Sequence, residues 1–390
     1  MKSQKKALLV TTVSGFVPQF EMSNVYILRN MGYEIHYATN YNTPSYGNDN
    51  RRLKGTGIIQ HQIDFVRSPF KIQNIKVYFQ LKQLMIDEHF DLVHCHTPMG
   101  SVIARIAAHA TKTYPVIYTA HGFHFFKGAP YINWFLYYPV EKLLSYFTDQ
   151  LICINQEDYE RSKKHFHAKH LNYIPGVGLD INKEQKAVDI NRKKQELGLH
   201  SDKFILLSSG ELIKRKNHET IIRAIRDYKD NYASVPFHYI ICGQGVLEGY
   251  LKDLADSLKV SNYISFLGYR NDMMEILQIA DLFIFPSYQE GLPMALLEAM
   301  AYGLPVICSD IRGSRDLMGK CEKDTMNVCD GGILIKHADD VKSFSKAIYL
   351  ILQNKELLNE MSSKNKIKVK NFSQINVNEA MINIYNNLLS

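Results

Sequence analysis

The chain has 390 residues, 46% of them hydrophobic, and this length exceeds what one hydrophobic core usually serves, so two domains are expected. No uncharged apolar run reaches the length of a membrane span, which excludes a transmembrane helix. The whole net charge of +7 lies in residues 1–176, with 19 Lys and Arg against 12 Asp and Glu. This excess favours a phosphorylated substrate or an anionic lipid surface. Nucleic acid ranks last, because no RNA- or DNA-binding module accompanies the charge.

The N-terminus and the cysteines both point to the cytoplasm. The apolar run 7–13 is too abrupt for a signal peptide and is typical of a first strand. Cys321 and Cys329 lack the spacing or the histidine partners of a zinc site, so a reducing compartment is expected. The remaining cysteines fall inside strand-like runs, where a reduced thiol packs as a small apolar group: Cys95, Cys153, Cys242 and Cys308.

The first half of the chain alternates strand-like and helix-like runs. This alternation predicts a parallel, doubly wound sheet, in which ligands gather beyond the carboxyl ends of the strands. The candidate residues at those ends are Ser14, Gly15, His121 and Asn155. The predicted strands are 7–13, 33–39, 58–65, 91–96, 115–120 and 150–155, with helices near 73–87 and 100–110.

Two histidines end the strand at 91–96. His94 and His96 share a strand face and could bind a metal, but we expect no carboxylate or cysteine to lie beside them as a further ligand. We therefore expect structural roles, one bonded to backbone at the strand end and the other in the opposite packing layer. His121 directly follows a strand and precedes Gly122, so its imidazole can project into a cleft; the alternative is a structural bond at the turn.

The segment 123–147 departs from the alternation. Its run 131–138 is aromatic or aliphatic at almost every position and lacks a clean strand or helix pattern. It is either a core helix or a surface for membrane or acceptor, because aromatic side chains suit headgroup depth. Beyond it, two glycines and a proline in 174–180 indicate a hinge between domains.

The second half repeats the alternation with clearer loops. A strand at 204–209 leads into Gly210 and the cations Lys214, Arg215 and Lys216, placed where a phosphate ligand is expected. Gly243 belongs to a Gly-Gln-Gly turn between the strand at 238–242 and a helix, the position of a phosphate loop.

The most informative stretch is 286–303. An apolar strand precedes it, and a helix from Met294 to Tyr302 follows it. The turn at Gly291, Leu292 and Pro293 thus places a helix N-terminus, which attracts anions, beyond a strand end. Glu290 and Glu298 flank this turn. Alone, such a pair could be a helix cap and a solvated acid.

Glu290 and Glu298 stand on the frame Glu-Gly-Leu-Pro-Met-x-x-x-Glu-Ala-Met-Ala-x-Gly-x-Pro-Val-Ile, which closely resembles the donor motif of the retaining family 4 glycosyltransferases. The resemblance extends from near residue 7 to the C-terminus and is strongest over 205–310. It implies an α/β fold of GT-B type, two Rossmann-like domains with a cleft between them. The expected domains are 1–176 on the acceptor side and 177–375 on the donor side, with a helix 376–390 that crosses back to the first.

The resemblance also implies roles for particular residues. His121 would face the donor sugar, Lys216 would hold the donor diphosphate, Glu290 the sugar hydroxyls and Glu298 the ribose. The family's usual arginine is replaced by Glu211, and Arg215 is the nearest substitute. Further donor contacts are expected at Gly15, Gly243, Arg270, Asn271, Gly291, Leu292, Pro293 and Met294.

The resemblance implies a retaining hexosyltransferase that moves a sugar from a nucleotide diphosphate sugar, expected to be a UDP-sugar, to an acceptor hydroxyl. A sugar-nucleotide epimerase and a non-catalytic sugar-nucleotide binding protein are the alternatives. No metal or other cofactor is expected, since no Asp-x-Asp pair is present to hold one. The basic first half and the resemblance predict a lipid-linked glycan acceptor of surface or capsular polysaccharide synthesis. They also predict a cytoplasmic enzyme that binds the anionic inner face of the cell membrane peripherally.

Overall fold

The structure is a computed structural model that describes residues 4–45, 50–181, 187–200, 202–232, 235–319 and 325–389. Cys321 lies outside these ranges. The chain forms two compact units, the first made of residues 1–178 and 374–390 and the second of 179–373. None of the helices in the described ranges is long and apolar enough to cross a membrane.

The first unit contains a seven-stranded sheet in the order β3-β2-β1-β4-β5-β6-β7. All of its neighbouring strands run parallel. The strands are β1 Lys5–Val13, β2 Tyr33–Asn40, β3 Ile59–Gln62, β4 Leu92–His96, β5 Val116–Ala120, β6 Gln150–Cys153 and β7 His170–Tyr173. The first helices are α1 Met22–Asn30, α2 Gln73–Glu88, α3 Pro98–Thr111, α4 Tyr131–Leu144 and α5 Gln156–His165. The predicted alternation is therefore present, although β3 is shorter than the run 58–65.

The aromatic run 131–138 lies in helix α4, although its sequence pattern did not indicate a helix. Trp134, Tyr137 and Tyr138 pack against the core that α2 and α3 also cover. Tyr131 and Phe135, by contrast, are 93% and 76% exposed. The run is thus both a core helix and a surface, and aromatic residues on both faces mask the helical period in the sequence.

The second unit contains a seven-stranded sheet in the order β10-β9-β8-β11-β12-β14-β13. Its strands are β8 Phe204–Ser209, β9 Phe237–Cys242, β10 Ile264–Gly268, β11 Leu282–Phe285, β12 Val306–Ser309, β13 Met326–Cys329 and β14 Gly332–Ile335. Its helices are α6 Ile190–Glu196, α7 His218–Asn231, α8 Glu248–Ser257, α9 Met273–Ile279, α10 Met294–Ala301, α11 Arg312–Met318, α12 Val341–Gln353 and α13 Lys355–Lys368. The sheet is parallel except at its edge, where β13 runs antiparallel to β14, which the alternation did not predict.

The last helix, α14 Gln374–Leu389, belongs to the first unit although it follows the second in sequence. Its Val377, Met381, Ile384 and Tyr385 complete the core on the α1 side of the first sheet. Gly178 closes the connection at φ 78°, and a Cβ there would lie 2.6 Å from the Cα of Gln374. Both the left-handed backbone and the close approach require glycine at this position.

In each sheet the strand order reverses at one place, between β1 and β4 in the first and between β8 and β11 in the second. Loops on the two sides of such a reversal turn toward opposite faces of the sheet. They leave a crevice between them, beyond the carboxyl ends of the strands. The loops after β8 and β11 carry Lys216 and Glu290, and the loops after β1 and β4 carry Gly15 and Thr97. Each unit therefore has a crevice of the kind in which ligands of such sheets bind.

Candidate active site

The loop between β11 and α10 is built by a buried strand and a helix of strong helix formers. The side chains of Leu282–Phe285 are at most 2% exposed, so the strand delivers the loop to the carboxyl edge of the sheet. Helix α10 begins at Met294 with Pro293 at its N-cap. Glu290 lies before this cap and does not cap the helix. The first backbone N–H groups of such a helix have no partner within it and favour an anion.

Glu290 is the centre of a buried charge cluster. Its Oε1 lies 2.8 Å from Lys216 Nζ and 2.7 Å from Arg215 Nη1. Burial raises the pKa of Glu290, but Lys216 and Arg215 together outweigh that effect and hold its pKa below the usual range. Three of the residues that the sequence singled out thus meet at one point. Two cations and one carboxylate leave a net positive charge there.

Lys216 reaches this point because neighbouring groups leave room for it. Gly210 has φ 154°, and a Cβ there would meet Lys216 Cε at 3.2 Å. The ammonium group also lies 5.0 Å from the centroid of the Phe285 ring. The absence of a side chain at Gly210 and the flat face of Phe285 therefore fix the path of Lys216 toward Glu290.

Two residues that the sequence analysis missed hold the loops around the cluster. Asn217 donates through Nδ2 to the carbonyl oxygens of Pro286 and Ala338 at 3.0 and 2.6 Å. Arg312 donates through Nε to the Glu290 carbonyl at 2.9 Å. The one available signal was Asn217 before a helix, since asparagine tolerates the left-handed φ of 57° found there. Arg312 is distant in sequence and gave no signal.

The glycine turn after β9 is held close to the loop after β8. A Cβ on Gly243 would collide with the carbonyl oxygen of Gly210, so only glycine fits. Its own N–H donates to the Gly268 carbonyl at 2.8 Å. The structure thus gives Gly243 a packing role, and its backbone N–H is already used within the protein.

Arg270 belongs to a different cluster of the second unit. It donates to both carboxylate oxygens of Asp272 at 2.8 and 2.5 Å, and Lys193 donates to Asp272 at 2.6 Å. The hydrogen bond from Arg270 is the main reason that the pKa of Asp272 lies far below its usual range. The side chain of Arg270 thus anchors α9 and α6, and Asn271 lies in the turn between β10 and α9.

The remaining predicted donor contacts surround the start of α10. Leu292 and Pro293 are buried, whereas Gly291, Met294 and Glu298 are partly exposed. Glu298 is the fifth residue of the eight-residue helix. A Cβ on Gly313 would collide with the Gly291 carbonyl, so α11 packs directly under this turn.

In the first unit, the loop after β1 is covered by the chain that follows β2. A Cβ on Gly15 would collide with the carbonyl oxygen of Ser45, and Ser14 Oγ donates to Asn50 Oδ1 at 2.5 Å. Gly15 is buried. The close packing of these loops therefore explains why position 15 is a glycine.

His121 projects from the end of β5 and is 20% exposed. Its Nε2 lies 3.2 Å from His96 Nδ1, and both nitrogens lie 3.5 Å from Glu21 Oε1. Burial lowers the pKa of His121 to about 4 and raises the pKa of Glu21 to about 8. At neutral pH His121 is therefore a neutral imidazole and Glu21 is largely protonated.

The structure corrects the prediction for the two strand histidines. His94 does not bond to backbone: it contacts Tyr385 Oη and Thr119 Oγ1 at 2.9 and 2.8 Å. His96 does not face the opposite layer, since its ring lies 4.2 Å from that of His94. The predicted absence of a nearby carboxylate is also wrong, because the fold brings Glu21 to His96.

Asn155 caps α5 by accepting from the Asp158 N–H, so its role is structural.

Comparison with known proteins assigns this chain to a protein family. Residues 189–368 match the family described as glycosyl transferases group 1, and residues 6–155 match the family described as glycosyl transferase 4-like. The putative glycosyltransferase EpsD of Bacillus subtilis is 36% identical over 98% of this chain and 96% of its own.

Two further matches agree with this result. The UDP-Gal:alpha-D-GlcNAc-diphosphoundecaprenol alpha-1,3-galactosyltransferase of Escherichia coli is 31% identical over 77% of this chain and 76% of its own. The crystal structure of Anabaena HepE in complex with UDP and glucose has a TM-score of 0.77 at 18% identity, covering 98% of this chain and 100% of that one. The predicted GT-B fold class is confirmed, and the chain belongs to the group 1, 4-like glycosyltransferases.

Proposed function

We propose that this glycosyltransferase moves a hexose from a UDP-sugar to a hydroxyl of a lipid-linked glycan with retention at the anomeric carbon, in the synthesis of a surface polysaccharide. The observation that carries the proposal is the convergence of Lys216 and Arg215 on Glu290 at the sheet's reversal point. A departing diphosphate needs a fixed positive field, and a sugar needs a carboxylate that accepts from its hydroxyls.

The cluster suggests how its residues act. Lys216 and Arg215 offer the diphosphate a preorganised positive charge, and the N-terminus of α10 adds its dipole. Glu290 balances these cations before the donor binds and accepts hydrogen bonds from sugar hydroxyls afterwards. Arg215 thereby replaces the arginine that the family usually has at the position of Glu211. Glu298 binds the ribose hydroxyls, and His121 contacts the donor sugar as a neutral imidazole.

The choice of donor and acceptor is supported by relatives. The E. coli relative is named for UDP-Gal and for an acceptor linked to diphosphoundecaprenol, and HepE was crystallised with UDP. The decisive experiment is a screen of nucleotide sugars against undecaprenyl-diphosphate-linked saccharides, read as nucleoside diphosphate released and as glycosylated lipid. Isomerised sugar from donor alone would instead indicate an epimerase, and donor binding without turnover a non-catalytic protein.

We expect the transfer to survive EDTA. The positive charge that a divalent ion would supply to the diphosphate is available from Lys216, Arg215 and the α10 N-terminus, and the sequence has no Asp-x-Asp pair. The measurement is the initial rate before and after chelation and desalting. Full loss of activity that returns with Mg²⁺ or Mn²⁺ would contradict this prediction.

The proposed lipid-linked acceptor predicts attachment of the first unit to an anionic membrane. Helices α2 and α4 follow β3 and β5, so both begin at the carboxyl edge of the sheet, and both cover the same core. At this end Ile72 is 85% exposed and Phe135 is 76% exposed. Further exposed apolar residues here are Phe70, Ile75, Phe79, Tyr131 and Ile132, and exposed cations are Arg67, Lys71, Lys76 and Lys127.

This surface suits reversible membrane binding. Each basic residue near an anionic leaflet contributes about 1 kcal/mol, and inserted apolar side chains add a term that salt does not remove. We expect the protein to co-sediment with vesicles that contain phosphatidylglycerol, weakly with phosphatidylcholine alone, and less at high salt without complete loss.

The test variant is Ile72→Ser with Phe135→Ser, which removes two exposed side chains and should markedly lower binding at high salt. Trp134 is unsuitable, because its ring packs at 5.7 Å on Phe125 and at 4.7 Å on the Arg161 guanidinium. The matched control is Val246→Ser with Tyr269→Ser, two residues of the second unit that are 90% and 65% exposed. Equal, negligible binding to both vesicle types would refute the membrane assignment.

A further inference from the structure

Three potential metal ligands of the first unit converge on one point. Glu21 Oε1, His96 Nδ1 and His121 Nε2 form a triangle with sides of 3.2, 3.5 and 3.5 Å. Each comes from a different part of the chain: Glu21 ends the turn Val17–Glu21, His96 ends β4, and His121 follows β5. Two imidazoles and a carboxyl group, which releases its proton to solvent when a metal binds, are a ligand set that divalent transition metals bind.

The spacing of these atoms discriminates between coordination geometries. Ligands at about 2.0–2.1 Å from zinc lie roughly 3.3–3.4 Å apart in a tetrahedron, and would lie roughly 2.9 Å apart in an octahedron. The observed sides of 3.2–3.5 Å match the tetrahedral value. Hydrogen bonds explain the triangle less well, since the two distances of 3.5 Å to Glu21 exceed a normal hydrogen bond.

The surroundings of the triangle also suit a metal. Asn24 Nδ2 donates to the other oxygen of Glu21 at 2.6 Å and so fixes the carboxylate. The Phe16 ring packs edge-on at 4.8 Å from that of His121, which is left 20% exposed. A cavity of about 20 Å³ borders Glu21, Asn24, Thr119 and His121 and has room for a fourth, water-sized ligand.

The orientation of His96 is consistent with this arrangement. Its side chain is fully buried, and its Nε2 has no hydrogen-bond partner among the residues that the structure describes. Among the described residues, the polar contacts of the His96 ring therefore pass through Nδ1, the nitrogen that faces Glu21 and His121. The partial exposure of His121 gives an ion a route to the three ligands.

We propose that Glu21, His96 and His121 bind one tetrahedral divalent metal ion of the zinc type, and that the bound ion inhibits the transferase by occupying the His121 nitrogen. The inhibition rests on the proposed function, because it requires His121 to contact the donor sugar, whereas the binding does not. An inhibitory metal is compatible with activity that survives EDTA, since chelation frees His121.

The binding experiment uses the full chain after chelation and desalting. Calorimetric titration with ZnCl₂ should give one site per chain, and Co²⁺ should produce the intense visible absorption of a tetrahedral complex. We expect Glu21→Gln and His121→Gln each to weaken zinc binding at least tenfold, and Asn24→Ala to weaken it roughly tenfold, as for other groups that orient a ligand. His109→Gln, at an exposed histidine outside the triangle, is the control and should bind zinc normally.

Circular dichroism and thermal unfolding establish that each variant is folded. Zinc affinity that is the same in folded Glu21→Gln, His121→Gln and wild-type protein would overturn the metal site. Zinc at saturation should abolish wild-type turnover, while Glu21→Gln should keep a clearly larger share of its own activity at that concentration. Single-site binding without inhibition would leave the metal site in place and overturn the role of His121, so the two failures are distinguishable.

Discussion

Replacing Lys216 or Glu290 by alanine is expected to lower turnover by two orders of magnitude or more, roughly the effect of removing one preorganised electrostatic group from an active site. In the proposed function Lys216 supplies charge to the diphosphate, so its loss should act on the step in which that group departs. Loss of Glu290 removes the partner of two cations that lie 2.7 and 2.8 Å from it, and the proposed contact with the sugar hydroxyls.

The measurement is steady-state kinetics with the donor that the nucleotide-sugar screen identifies. Lys214→Ala is the matched control, because Lys214 is an exposed neighbour that lines a separate pocket with Glu219 and Asp339. Glu298→Ala should mainly raise the dissociation constant for the nucleotide. Near-wild-type kinetics in both Lys216→Ala and Glu290→Ala would contradict the site assignment.

The second large effect is expected on stability, at the buried ion pair between α3 and α4. Arg105 Nη2 lies 2.7 Å from Glu141 Oε2, and the two side chains are 1% and 9% exposed. Removing one partner leaves an uncompensated buried charge, so Arg105→Ala or Glu141→Ala should each cost about 3–5 kcal/mol of unfolding free energy. The guanidinium also lies 4.2 Å from the Tyr118 ring, which adds to the loss for Arg105.

Urea unfolding followed by tryptophan fluorescence suits this test, because Trp134 is the single Trp of the chain and lies on α4. The control is Lys6→Ala, whose pair with Glu88 is about 30% exposed on both sides and should contribute at most about 1 kcal/mol. The double replacement Arg105→Met with Glu141→Leu should cost less than either single change, since it buries no unpaired charge. A double variant that is as unstable as the sum of both singles would contradict this explanation.

The parts of this molecule that could be read from the sequence are those with local patterns. Apolar runs between helical segments located most of the strands, and the frame around Glu290 and Glu298 located the second crevice. The place of Lys214, Arg215 and Lys216 after β8 indicates a phosphate ligand among them, and the resemblance to the glycosyltransferase family singles out Lys216 and Arg215. In each case the residues that decide the structure are neighbours in sequence, so their spacing carries the information.

The sequence could not predict contacts between segments that are far apart in the chain. Glu21 and His96 are 75 positions apart, and only the order of β1 and β4 in the sheet brings them together. Arg312 supports Glu290 across a gap of 22 residues without any local motif. Helix α4 could not be predicted for another reason. A helix that is aromatic on both its core side and its surface side has no hydrophobic period to detect.

The position of α14 has a consequence for how the protein is made. On the ribosome, residues 1–178 emerge first, but the helix that covers Leu9, Ile117 and Ile152 is translated only after the whole second unit. Until then His94 lacks Tyr385, its hydrogen-bond partner at 2.9 Å, and an apolar surface of the nascent first unit faces water. Growing chains of this protein should therefore depend on chaperones for as long as the second unit is being synthesised.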